Sequence, residues 1–95
     1  INLKHIKENI TELHKNKIHI EITNLLIEGH NTNISDIQET IDFVYSVSKD
    51  IPLHFSRAFP HYRLNHIIPT KLETLKLAEK LAKDKGLVNV YLGNI

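Results

Sequence analysis

The sequence predicts an α/β domain in which three parallel strands alternate with three helices, and three observations lead there. Apolar residues recur at helical and then at strand spacing in the order α-β-α-β-α-β. Turn and capping residues separate the runs. The helical runs between successive strands have the length that joins parallel neighbours by right-handed crossovers.

Leu3, Ile6, Ile10 and Leu13 lie three and four apart, which puts one apolar stripe on a helix over about residues 2–14, with Asn16 as its stop. Residues 18–27 are too β-branched for a preferred helix, and they alternate. Ile18, Ile20, Ile22 and Leu26 fall on one face of a strand, and His19, Glu21, Thr23, Leu25 and Ile27 on the other. Gly29, Asn31 and Asn33 supply a turn, after which Ser35 with Gln38 reads as a capping box for a helix striped by Ile37, Ile41, Val44 and Val47. The second strand spans about residues 52–57. Pro52 is permitted at its first position, Leu53 and Phe55 share one face, and His54 and Ser56 share the other. A loop over about residues 58–69 leads to a second capping box, Thr70 with Glu73, and to a helix that buries Leu72, Leu75, Ala78, Leu81 and Ala82. Gly86 ends that helix, and residues 88–92 form the last strand, with Val88, Val90 and Leu92 opposite Asn89 and Tyr91.

Helices are expected over the Ile18/Ile20/Ile22, Leu53/Phe55 and Val88/Val90/Leu92 faces. The face bearing Glu21, Thr23, His54, Ser56 and Asn89 is left without an apolar partner. An arc of a barrel, with this polar face turned into a cavity, accounts for that imbalance. Glu21 needs a partner, water or the remainder of such a barrel, because an unpaired buried carboxylate is costly.

The 95 residues fit one domain, with no internal linker or low-complexity tract. Ile1 as first residue and the absence of methionine suggest a chain trimmed from something larger. An apolar share of 41% with 24% charged residues argues against disorder, and no apolar run approaches the roughly 20 residues that span a bilayer. A net charge of +1 is too balanced to predict nucleic acid or a membrane surface as partner, and Lys80, Lys83 and Lys85 cluster where a helix C-terminus favours bases. The chain has no cysteine, so disulfides, a cysteine nucleophile and a cysteine-held iron-sulfur cluster are impossible within it.

Ligands of parallel α/β structures normally meet the C-terminal ends of the strands. There Ser56, Arg57, Phe59, His61 and Tyr62 would join the turn after the first strand and the Gly93-Asn94 end of the third. Hydroxyls and backbone amides suit a nucleoside or carboxylate, Arg57 an anion, and Phe59 or Tyr62 a ring. An ordinary solvated loop is the competing reading. Seven histidines raise the question of a metal, but none forms a His-x-x-x-His helical pair or a compact strand pair with a carboxylate that would fix three ligands, so no native metal site is expected. Neither a glycine-rich phosphate loop nor a G-x-S-x-G elbow is present.

The stretches "HIEITNLLIEGHN", "LHFSRAFPHYRL" and "PTKLETLKLAEKLAKDKGLVNVYLGNI", in that order, resemble the C-terminal part of radical S-adenosylmethionine enzymes of the pyruvate formate-lyase activating enzyme type. They resemble in particular the branch called the AmmeMemoRadiSam system. The pattern H-x-S-R-x-x-P-x-Y at His54, Ser56, Arg57, Pro60 and Tyr62, followed by P-T-x-x-E-T-L and V-Y-x-G-N, carries the resemblance over about residues 18–95. Glu28 departs from it, since such enzymes usually have proline before Gly29.

What the resemblance implies is a partial (β/α) barrel that holds an iron-sulfur cluster in a C-x-x-x-C-x-x-C loop and cleaves S-adenosylmethionine to a 5'-deoxyadenosyl radical. This chain would be the C-terminal arc. The cysteine loop and the segment binding the methionyl amino group would belong to a missing N-terminal barrel portion. Carried over by resemblance, Thr23, Leu25, Ser56 and Arg57 become candidate cofactor-binding walls of the adenosyl pocket, and His54, Phe59, His61 and Tyr62 candidate walls of the substrate cleft. No residue is expected to be catalytic or to bind metal in this chain, and no cofactor is expected to stay bound to it alone. The parent would act on a protein or peptide in the cytoplasm. A non-catalytic binding or interaction domain is the alternative, and self-association through exposed strand edges is expected under either reading.

Overall fold

A computed structural model describes residues 3–58 and 69–93. It contains α1 (Leu3–Lys15), β1 (Ile22–Leu26), α2 (Ile34–Val47), β2 (Leu53–Arg57), α3 (Leu72–Lys85) and β3 (Val90–Gly93). The strands form one parallel sheet in the order β1-β2-β3, with Ile22 opposite Leu53 and Leu53 opposite Val90.

One hydrophobic cluster joins the sheet to its helices. Leu26, Leu53, Phe55 and Val90 meet Ile37, Ile41 and Val44 of α2 and Leu75, Ala78 and Ala82 of α3, and Ile10 of α1 packs at its margin. Because α2 and α3 contribute to the same cluster, both lie on one face of the sheet. The predicted class, three parallel strands alternating with three helices, is what the chain adopts. Alternation within β2 is complete, with Leu53 and Phe55 buried and His54 and Ser56 half-buried.

The differences lie at element ends. β1 is five residues and not ten: Ile18 is half exposed, and the chain extends as strand only from Ile22, where Ile22 N–H begins to pair with Pro52 C=O. Val88 precedes β3 and is exposed, while Leu72 and Leu13 are more exposed than their stripes suggest. Neither predicted capping box forms. Asn33 caps α2, accepting from Asp36 N–H at 2.9 Å, so that Ser35 lies inside the first turn and donates to Asn33. Lys71 occupies the cap position of α3 without a side-chain bond, and Glu28 supplies the acceptor from across the fold.

Candidate functional site

Period-two alternation places Thr23, His54 and Tyr91 in one row across the three strands, and Leu25, Ser56 and Gly93 in the next. Both rows face away from the helices. Leu25 and Tyr91 are 46% and 49% exposed there, so this face has no cover among the described residues.

His54 is held on this face by two contacts. Its ring stacks on Tyr91 with centroids 5.0 Å apart and planes 27° from parallel. Its Nε2 lies 2.7 Å from Glu21 Oε1, and His19 Nε2 lies 3.1 Å from Glu21 Oε2. Hydrogen bonds from His54 first and His19 second hold the Glu21 carboxyl below the ordinary carboxylate range. Glu21 is exposed and precedes β1, so the burial that was expected to demand a partner is absent, although its carboxylate is bonded to two imidazoles. In the sequence His19 and Glu21 lie two apart on one face, which marks a pair but not the three ligands a metal needs. The signal was that spacing, and the missing information was the register that brings His54 beside it. The three side chains do not converge as a ligand set, and no group able to hold a metal occurs among the described residues.

The C-terminal ends of β1 and β2 are tied by Thr70, which is fully buried. Its hydroxyl donates to Leu26 C=O and accepts from Ala58 N–H at 3.0 Å, and its own N–H donates to Ala58 C=O at 3.1 Å. Arg57 Nε donates to Thr70 C=O at 2.7 Å. Arg57 shares the strand parity of Leu53 and Phe55, the helix side, so it does not line the same wall as Ser56. The four residues proposed for an adenosyl pocket thus divide, with Thr23, Leu25 and Ser56 on the open face and Arg57 binding the strand-end segment. His54 joins the first three. Phe59, His61 and Tyr62 lie outside the described residues, as does Pro60.

The turn after β1 is fixed by side chains. Asn31 Oδ1 accepts from Ile27 N–H at 2.7 Å and its amide donates to Leu25 C=O at 2.9 Å. Glu28, next to Gly29, accepts from Thr32, from Thr74 and from Lys71 N–H, each at 3.0 Å. The Lys71 N–H, helped by the two hydroxyls, lowers its pKa against a partial desolvation cost. Glu28 thus has a structural use: its carboxylate sits on the N-terminus of α3, where the helix dipole favours it.

These features define a singly wound α/β chain whose uncovered sheet face carries a carboxylate–imidazole pair beside a stacked tyrosine. Among known proteins, the chain is 44% identical over 79 residues to an uncharacterized protein, MJ0808, of Methanocaldococcus jannaschii. The matched segment covers 82% of this chain and spans about a quarter, 24%, of that relative's length. No protein-family model matches the chain, and no solved structure matches it.

Proposed function

We propose that this chain is the C-terminal arc of a partial (β/α) barrel of the radical S-adenosylmethionine type, contributing one wall of the cleft that holds the adenosyl group and the substrate. The observation that carries the reading is the winding. Strands in sequential order with helices stacked on one side leave Thr23, His54, Ser56 and Tyr91 on the other, and in a barrel that side faces inward. The motif resemblance and the relative of greater length agree with a chain that is one part of a larger protein.

The open face suits an adenosyl group in its chemistry. Thr23 and Ser56 offer hydroxyls, His54 an imidazole, and Leu25 and Tyr91 apolar surface against a ring. Gly93 leaves space beside Ser56 that a side chain would fill, a Cβ there making ordinary contact 3.6 Å from Ser56 Oγ. An iron-sulfur cluster does not fit this chain, which has no cysteine to hold one. The cluster would belong to the missing N-terminal barrel portion. The isolated chain is then inactive, and the protein or peptide substrate meets the completed cleft.

Because the isolated chain supplies one wall only, the test is titration of the longer protein proposed to carry these 95 residues with S-adenosylhomocysteine, followed by the amide resonances of this segment. Shifts confined to Thr23, Leu25, Ser56 and their row neighbours are expected, and a spectrum that does not move would sink the adenosyl reading. Anaerobic incubation of the isolated chain with iron and sulfide is expected to give no cluster absorbance; a stoichiometric cluster would overturn the assignment of the cluster to another part of the protein. A non-catalytic interaction domain is the second reading, favoured by the exposure of Leu25 and Tyr91 on the open face.

A further inference from the structure

The Glu21–His54 contact carries more than stability. An ionised carboxylate accepts hydrogen bonds and cannot donate them, so a 2.7 Å contact from Glu21 Oε1 to His54 Nε2 requires the proton on Nε2. A neutral imidazole protonated there has its lone pair on Nδ1, and the tautomer of a histidine is set by the hydrogen bond its other nitrogen makes. His54 is also restrained by the Tyr91 stack at 5.0 Å, so two contacts, one from the segment before β1 and one from β3, fix both its plane and its proton. His19 occupies the second carboxylate oxygen at 3.1 Å, which turns Glu21 toward the sheet and leaves Oε1 for His54.

We propose that Glu21 is a positioning residue that locks His54 as the Nε2–H tautomer, so that the open face presents Nδ1 as a hydrogen-bond acceptor for a hydroxyl or amine donor of the bound molecule. The assignment of a ligand to this face rests on the function proposed above, whereas the locked tautomer rests on the contacts alone. The acceptor role follows from charge as well. The described residues of this face include no lysine or arginine, and Glu21 adds a negative charge, so a donor is favoured over an anion. Tyr91 and Thr23, the row neighbours of His54, bring no competing charge. Sequence reading placed His54 and Glu21 on the same face, but only the parallel register sets them one hydrogen bond apart.

The experiment uses the 95-residue chain labelled with 15N, with imidazole nitrogens observed at pH 8.5, above the reference histidine value of about 6.5. His54 is expected as the Nε2–H form in the wild type and in His19→Ala. In Glu21→Ala it is expected as a mixture containing the Nδ1–H form. An Nδ1–H form in the wild type, or no change in Glu21→Ala, overturns the proposal. Glu21 is half exposed and precedes β1, and an unchanged amide spectrum away from the site checks that the variant is folded. Binding of S-adenosylhomocysteine by the longer protein proposed to carry this chain then separates the two claims. Glu21→Ala and His54→Ala are each expected to weaken it about tenfold, about 1.4 kcal/mol, and the double variant by no more than either alone. Additive losses overturn the coupling. Failure of the wild type to bind overturns the ligand assignment and leaves the tautomer measurement to decide Glu21.

Discussion

Thr70 shows what one residue can hold together and why the sequence misleads about it. Threonine three positions before a glutamate, ahead of an apolar run, is the pattern of a capping box. The hydroxyl instead bridges Leu26 C=O and Ala58 N–H, two backbone groups stranded at the ends of neighbouring strands. Long-range needs of the sheet outrank the local cap, and no local pattern contains them. Thr70→Val keeps the shape and removes the bridge, leaving the Ala58 N–H without its side-chain acceptor beneath the fold. A loss of about 2 kcal/mol is expected by urea denaturation, whereas Thr70→Ser, which retains the hydroxyl, is expected to cost about 1 kcal/mol. Equal effects of the two would show that the methyl group matters and the bridge does not. Glu28 makes the same point. As a single letter it is only an irregularity in a turn, yet its carboxylate serves as the cap that Lys71 lacks. Glu28→Ala is expected to lower stability by about 1 to 2 kcal/mol in the same measurement.

At the level of elements, the type and order of all six are legible because their periodicities are long enough to be distinct, and the buried set Ile37, Ile41, Val44, Leu53, Phe55, Leu75, Ala78 and Ala82 follows from them. Element ends are less legible, because exposure at an end depends on which neighbour reaches it. Ile18 and Val88 continue the alternation of their strands but lie beyond the pairing that would bury them. The C-termini of α1 and α3 use the same closing geometry with different residues. After α1, Ile18 N–H bonds to Leu13 C=O and Lys17 N–H to His14 C=O, with Lys17 left-handed at φ 59°. After α3, Leu87 N–H bonds to Ala82 C=O and Gly86 N–H to Lys83 C=O, with Gly86 at φ 117°. Glycine suits this position and lysine does not. Lys17→Gly is therefore expected to stabilise the chain by about 0.5 to 1 kcal/mol. Gly86→Ala is expected to destabilise it by about 1 to 2 kcal/mol, through the backbone and through a Cβ placed 3.2 Å from the Tyr45 ring. Opposite shifts of melting temperature in the two variants are the check; shifts of the same sign would contradict the shared geometry.

At the scale of the whole molecule, three carboxylates join distant elements and give the fold its acid limit. Glu21 is bonded to His54 and His19, Glu28 to the start of α3, and Asp42 to Gln38 and to Lys85 at the end of α3, and all three pKa values are lowered. Glu21 and Asp42 are exposed, so solvent screens their share and Glu28 carries most of the effect. A carboxyl with a depressed folded value contributes stability that is fully present above its unfolded value. That stability is lost as pH falls through the folded one. Melting temperature is thus expected to fall below about pH 4, and Glu21→Gln with Glu28→Gln should flatten that fall. The sheet sets the second property. Among the described residues it has three strands, two of them edges, and a face on which Leu25 and Tyr91 are exposed beside the polar row. Parallel edges and an uncovered face invite pairing with further strands, in a larger protein or in a second copy of this chain. Sedimentation of the 95-residue chain across a concentration series is expected to show a rising mass. Leu25→Lys with Tyr91→Glu should hold it monomeric, with little change in melting temperature because both side chains face away from the core. A wild type that stays strictly monomeric at the highest concentration would mean that the polar row alone keeps this face in water, and that it needs no cover to be stable.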